Sequence, residues 1–415
     1  MSLYRSICYT FYPRRRRKSY LFLMIFVILL YYYYQFLELS SYPTEITIIS
    51  EDFDKLQNRF LEKSSEIFSK YLRSPYEINI WRIINESNAK YADKSSNNKY
   101  LVYSCPFMCG GWGDRTRKIV AAFLLSLALN RTFLLDMTWP CSIEQYLTAN
   151  LISWSISSHL HVKNLSSAIN ITSLASTDHR LLESYHQQYS VLYIQTKNIA
   201  YFDLFSKYSL FYEVLFTRFR IKREHIQIIT LYPLLYDLLI KLQPNLQDKL
   251  DRLNLTDSDQ DALLCGHIRI GRNPSNLKDV VFPHREKMNV TVLNFLRSRP
   301  GRVFITTDSG EVQHLARQLF STKSPQENSR LIEINGTIAH IDRDWNYLAC
   351  ESLEKTILDF HALSFCHLAV ISKSSFGHLA IHRRIYPYEE LYLYCNGIKT
   401  IQNSNDYDRY KYSTC

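Results

Sequence analysis

The chain has 415 residues and a mass of 49.1 kDa, too long for one small domain and long enough for two domains with appendages. Hydrophobic residues make up 46% and charged residues 21%, which excludes a mostly disordered or fibrous chain. Of the net charge of +10, +6 sits in residues 1–18, on Arg5, Arg14–Arg17 and Lys18; the rest carries only +4, so no basic face for nucleic acid is expected.

The basic run abuts Tyr20–Leu37, 18 residues without a charge. As a helix it spans about 27 Å, close to the thickness of a bilayer core. The positive-inside rule makes residues 1–18 a cytosolic tail, residues 19–37 the transmembrane anchor and the remainder lumenal. A cleaved signal peptide is the alternative, although the Tyr31–Tyr34 flank offers no small-residue cleavage site. Seven Asn-x-Ser/Thr tripeptides, at Asn85, Asn130, Asn164, Asn170, Asn254, Asn289 and Asn335, agree with a lumenal ectodomain. Asn130 fits least, because it falls in an apolar, helix-like run. Beyond Cys8 the chain has eight Cys, at 105, 109, 141, 265, 350, 366, 395 and 415. An even set in an oxidising compartment predicts disulfides and leaves their pairing open. Zinc at Cys105 and Cys109 is an alternative, weakened by the lack of a His at ligand spacing.

Residues 38–99 read as a stem, with helical spacing over Glu51–Leu72 and a polar linker at Asp93–Lys99. Residues 100–260 read as a first α/β domain. Tyr100–Tyr103 is a predicted strand, Gly110, Gly111 and Gly113 a turn, Thr116–Leu129 a helix and Thr132–Met137 a second strand. Residues 140–260 lack Gly and read as a mostly helical insert, loosening near 150–180. Its helices are predicted at Tyr201–Arg218 and, after a break at Pro233, at Leu234–Leu242. Residues 261–400 read as a second Rossmann-like domain, and 401–415 as a tail. Its predicted strands are Ala262–His267, Arg302–Thr306 and His367–Ser372. Its predicted helices are Glu311–Phe320, Glu354–Phe365 and one starting at Gly377.

The chain has only ten Gly. Gly110, Gly111, Gly113, Gly266, Gly271 and Gly377 fall where strands end. There the backbone can approach a ligand and helix N-termini can offer N–H groups to a diphosphate.

Three segments carry a resemblance. They are Cys109-Gly-Gly-Trp-Gly-Asp-Arg115, Cys265-Gly-His-Ile-Arg-Ile-Gly-Arg272, and Asp359-Phe-His-Ala-Leu-Ser running on to Ser374-Ser-Phe-Gly377, with Thr306-Thr-Asp-Ser309 between. In this order, residues 100–385 resemble the superfamily of GDP-fucose-dependent α1,2-, α1,6- and protein O-fucosyltransferases. The resemblance implies the GT-B architecture, two Rossmann-like domains facing across a cleft. It implies fucose transfer from GDP-fucose to a glycan or glycoprotein acceptor, without metal or other cofactor; the short apolar span suits the thinner membranes of the early secretory pathway, Golgi or, alternatively, endoplasmic reticulum. A His-x-Arg-Arg-Gly-Asp-like hallmark is matched at His267, Arg269 and Gly271. The matching Arg holds the donor's β-phosphate, which makes Arg269 the first catalytic candidate. Asp308 and Asp359 match acids that contact the base or ribose. Ser374 and Ser375 match a Ser pair near the phosphates. Gly110, Gly111, Gly113 and Arg115 match the Gly-rich loop over the donor. Asp114 is the candidate base. From the residues alone, Asp308 also reads as the N-cap of the helix that follows, with Glu311 as its capping-box partner.

Three positions depart from the pattern. Ile270 replaces the second Arg, Arg272 replaces the acid, and Cys366-His367 replaces a Cys-Asp pair. Ile270 and Arg272 are expected to change the charge beside the donor. Two rivals remain. One is a non-catalytic lumenal glycan-binding or adaptor protein on a retired transferase fold. The other is a metal-dependent glycosyltransferase using Asp342 and Asp344, which follow the apolar run Thr337–Ile341.

Overall fold

The structure is a computed structural model that describes residues 78–95, 97–171, 179–195, 209–223, 226, 228–255, 262–271, 285–321, 330–338, 341 and 348–412. The expected tail, the membrane span and the helical spacing at 51–72 lie outside the described residues. Among those described, no helix is long and apolar enough to cross a membrane. All of them belong to one compact unit, Ser64–Cys415.

The first part of this unit opens with α1 (Ile80–Ala92), capped by Asn79, whose side chain accepts the Arg82 N–H at 3.0 Å. It falls within the segment expected as stem. β1 (Tyr100–Cys105), α2 (Trp112–Ala128) and β2 (Thr132–Met137) follow. α1 buries Ile83 and Ile84 and packs against β2. Next come β3 (Leu147–Ala149), β4 (Ala168–Ile171), α3 (His179–Gln188), β5 (Val191–Ile194), α4 (Ser209–Phe219), α5 (Ile228–Leu239), β6 (Ile240–Leu242) and α6 (Pro244–Asp251).

The described residues of the insert hold four short strands as well as helices. β4 and β5 arise from it and complete a four-stranded, all-parallel sheet of order β2-β1-β5-β4. They are only four residues each, and no Gly brackets them, so the usual sequence punctuation is missing. β3 and β6 form a separate antiparallel ladder. α5 runs straight through Pro233. A mid-helix Pro costs ~3 kcal/mol or more. Leu231, Tyr232, Leu234, Leu235, Tyr236, Leu238 and Leu239 are all buried around it, and each such apolar side chain contributes about 1.5–3 kcal/mol. Burial wins over the lost hydrogen bond.

The second part contains β7 (Leu263–Ile268), α7 (Arg285–Arg297), β8 (Arg302–Thr307), α8 (Gly310–Phe320), β9 (Leu331–Ile332), α9 (Ala349–Ala362), β10 (Leu368–Ile371), α10 (Ser375–Ile381), β11 (Leu391–Tyr394), β12 (Ile398–Thr400) and α11 (Ser404–Tyr412). The sheet order is β12-β11-β10-β7-β8-β9, parallel except for the β11–β12 pair. Every residue of β1 and of β7 is buried. That is why they read as largely apolar runs, broken only by Ser104 and His267: parallel strands are covered on both faces.

The two sheets are tied together. The disulfide Cys141–Cys350 spans a sequence separation of 209. The Tyr146 hydroxyl donates to the Cys350 carbonyl at 3.1 Å. Arg383 Nε meets Asp237 Oδ1 at 2.9 Å, both side chains buried. Two further disulfides lie within the described residues, Cys105–Cys109, which replaces the zinc alternative, and Cys265–Cys366, and Cys395 is disulfide-bonded as well. Six of the seven sequon asparagines are exposed, and Asn289 on α7 is buried. Asn130, doubted from its apolar neighbours, lies just beyond the end of α2 in a left-handed conformation (φ +54°) and faces solvent. Asn tolerates that conformation better than most residues.

Candidate active site

A cavity of ≈ 360 Å³ opens where the C-terminal ends of β7, β8 and β10 meet the turn between β1 and α2. In the second sheet, β8 leaves β7 on one side and β10 returns on the other. In the first, β2 and β5 flank β1 the same way. Such reversals in strand order leave a crevice at the carboxyl ends of parallel strands, the usual ligand position in α/β sheets.

The β1–α2 turn is built by α2 itself. Arg115, fully buried, donates from Nε to the Gly110 carbonyl at 2.8 Å and from Nη1 to the Trp139 carbonyl. Lys118 Nζ donates to the Cys109 carbonyl at 2.9 Å. Gly110 has φ +92°, which few other residues adopt. Gly111 occupies the N-cap without a side-chain cap, and Gly111, Trp112 and Gly113 line the cavity. The first N–H groups of a 17-residue helix thus bound one wall, a setting that favours negative charge. Gly113 answers a packing need as well. A Cβ there would lie 2.6 Å from Phe376 N and 2.7 Å from Ser375 C, so α2 and α10 touch backbone to backbone.

Opposite, β7 delivers His267 and Arg269. His267 is buried and its pKa is driven down to about 3, first by burial and then by the charge of Arg269. It is a neutral imidazole at physiological pH and a weak base. Its Nδ1 lies 3.1 Å from Ser372 Oγ, which itself accepts the Arg269 N–H at 2.9 Å. The His267 ring stacks on Phe376 with centroids 5.4 Å apart. Gly377 permits this, since a Cβ there would sit 2.7 Å from His267 Nδ1.

Ile270 is 8% exposed and belongs to the core cluster with Met288, Val292 and Val312. Residue 270 faces the core and is not in the cavity lining. Arg272, Asp342 and Asp344 lie outside the described residues. Among those described, no group of three or more His, Cys, Asp or Glu is arranged to hold a metal.

β8 ends in Thr306 and Thr307, and Asp308 follows it. Asp308 is not the cap of α8. Ser309 is, its hydroxyl accepting the Val312 N–H at 3.4 Å. The Asp308 carboxylate instead accepts the N–H groups of Ile270 (2.7 Å) and Gly271 (3.0 Å). Asp359, buried on α9, takes Lys355 Nζ at 3.0 Å on both oxygens, and the Thr306 hydroxyl donates to Oδ2 at 3.0 Å. Burial raises the Asp359 pKa, while Lys355 and Thr306 pull it back. Ser374 caps α10, accepting the Phe376 N–H at 3.2 Å, and Ser375 follows it in the lining. Asp114 stands at the mouth, 3.7 Å from Arg117.

Of the residues singled out from sequence, Gly110, Gly111, Gly113, Asp114, His267, Arg269, Asp308, Asp359, Ser374 and Ser375 line this one cavity. Arg115 and Gly271 do not; the first braces the turn, and the second, at φ +70°, turns the chain beyond Arg269. Sequence reasoning missed Lys355, Thr337, Ile338 and Lys373. Lys355 lies four residues before Asp359 on one helical face, a spacing that could have flagged it.

The chain is similar to several solved structures. A mutant of Arabidopsis thaliana FUT1 in complex with GDP aligns at 14% identity and a TM-score of 0.48, covering 85% of this chain and 80% of that one. Fucosyltransferase NodZ from Bradyrhizobium aligns at 12% identity and 0.43, covering 74% and 100%. POFUT1 in complex with GDP aligns at 9% identity and 0.41, covering 72% and 99%. No protein-family model and no curated protein matches the chain. With these scores below 0.5, a functional reading has to stand on the chain's own cleft.

Proposed function

We propose that this chain is a glycosyltransferase of GT-B type that moves fucose from GDP-fucose to a hydroxyl of a glycan or glycoprotein, with inversion and without a metal. The observation that carries the reading is the placement of Arg269 at the strand-order reversal, facing the uncapped N-terminus of α2 in the same cavity. A departing nucleoside diphosphate gains negative charge as the sugar–oxygen bond breaks. A guanidinium and helix amides set around that position favour the transition state over the ground state. The fork of Arg suits phosphate oxygens better than the point charge of Lys.

In this reading the acceptor oxygen attacks the anomeric carbon from the face opposite the diphosphate. The C–O bond to GDP breaks, and the hydroxyl proton passes to the Asp114 carboxylate at the mouth. His267, with its pKa driven down to about 3, is too weak a base for this role. The basic tail and the apolar run at 20–37 support a type II anchor in a Golgi membrane. Against the retired-fold rival stands Arg269, which is kept in the cavity lining while Ile270 packs into the core.

The test uses the purified full chain. Arg269→Ala should lower GDP affinity and cut GDP-fucose turnover, measured as transfer or slow hydrolysis, by roughly 10²–10³-fold with the melting temperature unchanged. Turnover like that of the parent protein would sink the assignment. EDTA should leave turnover intact; complete loss restored by manganese would favour the metal-dependent rival.

A further inference from the structure

We infer that Asp308 is a positioning residue for Arg269 rather than a ligand of the nucleotide. The inference rests on the reading of Arg269 as the group that grips the diphosphate.

Strand pairing ends just where Arg269 begins. The β7–β8 register runs out at Ile268 and Thr307, and the β7–β10 register at His267 and Ile371. Arg269, Ile270 and Gly271 therefore have no ladder to hold them. Three consecutive amides would be left without acceptors, which is costly for any that is buried. Side chains from the two neighbouring strands replace the ladder. From the β10 side, Ser372 Oγ accepts the Arg269 N–H at 2.9 Å, and the Ser372 N–H donates to the His267 carbonyl at 2.8 Å. From the β8 side, Asp308 accepts Ile270 N–H through Oδ1 and Gly271 N–H through Oδ2, at 2.7 and 3.0 Å. The buried Ile270 side chain anchors the same turn from the core.

The consequence falls on Arg269. A long side chain loses rotamer freedom when it grips a ligand. If its root also wandered, the guanidinium would spend part of each encounter out of line with the phosphate. Two charge-assisted hydrogen bonds beside a third fix that root. Asp308 is spared from capping, because Ser309 does it. Asn could not replace Asp, since its side-chain NH2 would face one of the two backbone N–H groups, donor against donor.

The experiment is a double-mutant cycle on GDP affinity, measured by calorimetry on the full chain, with melting temperatures recorded for each variant. Asp308→Asn should weaken GDP about tenfold when Arg269 is present. In the Arg269→Ala background the same change should matter by less than about twofold. Equal losses in both backgrounds would mean that Asp308 touches the nucleotide itself or acts only on stability, and would overturn the inference. So would parent-like affinity of Asp308→Asn. Ser372→Ala, which removes the acceptor of the Arg269 N–H from the other side, should show the same non-additive pattern; it decides the matter if Asp308→Asn does not fold, and additive losses there overturn the inference too. Failure of the parent protein to bind GDP, or parent-like binding by Arg269→Ala alone, would sink the proposed function and this inference with it. A normal Arg269→Ala loss with an additive Asp308→Asn loss sinks only the positioning role.

Discussion

His267 shows how far a single buried group can couple the site to solution conditions. In the folded chain it titrates at about 3, against 6.5 for the ordinary side chain. Between those pH values the folded state binds fewer protons than the unfolded one. The stability this supplies is fully present above pH 6.5 and is lost as pH falls toward 3. His186 and His382, both lowered to about 4 by burial, act with the same sign. Unfolding free energy, measured by denaturant titration, should therefore fall on acidification below pH 6.5. His267→Gln should flatten that slope by about 1.4 kcal/mol per pH unit between 6 and 4. Identical slopes would show that His267 is not held neutral. At this scale the sequence told a great deal about which residues gather and little about what each one does. The order of short motifs at strand ends brought Arg269, Asp308, Asp359 and Ser374 to one cavity. It did not tell that Ile270 turns to the core, or that the oxygens of Asp308 are occupied by backbone. The facing of a loop residue depends on neighbours 38 or 103 positions away, such as Asp308 and Ser372.

Helices and strands repeat that contrast. β2 and β8 were legible because each is a run of apolar residues of strand length between clear breaks. β4 and β5 were not, because short strands in a Gly-free region look like pieces of amphipathic helix. Gly113 was read as a ligand approach and Gly310 was not singled out, and their surroundings differ sharply. Gly113 begins α2 against the backbone of Ser375 and Phe376, whereas Gly310 begins α8 with nothing within 4 Å of a built Cβ. Gly113→Ala should push α2 and α10 apart, costing about 1–3 kcal/mol. It should also weaken GDP, because both elements wall the cavity. Gly310→Ala should be neutral or stabilise by about 0.4–1 kcal/mol, through the unfolded chain. Melting curves for the two variants decide this; equal melting temperatures would refute the close approach.

For the molecule as a whole, the cavity exists only while two sheets stay apposed, since the β1–α2 turn comes from one and Arg269 from the other. Loop-closure entropy makes Cys141–Cys350 the strongest covalent candidate for holding them. A cross-link of sequence separation 209 stabilises by about 5 kcal/mol in the chain-entropy account. Replacing both cysteines with Ser should cost about 2–5 kcal/mol, the measured range for native bridges. Non-covalent ties would remain, notably the buried pair Asp237–Arg383 and the contact of the Tyr236 hydroxyl with His361 at 3.1 Å. The sheets should thus stay in register at low temperature but separate more often. That fixes what to look for: the Cys141→Ser, Cys350→Ser protein should bind GDP more weakly well below its melting temperature, where simple unfolding is negligible. The comparison is Cys265→Ser with Cys366→Ser, which removes a bridge of separation 101 contained in the second sheet and its own helices. It should lose stability of similar size, because closure entropy grows only with the logarithm of loop length. Its GDP affinity should hold, because neither cysteine spans the cleft. If both double variants lost affinity in step with stability, the inter-sheet bridge would be no more than a general brace, and apposition would be left to the Asp237–Arg383 pair and the α2–α10 contact.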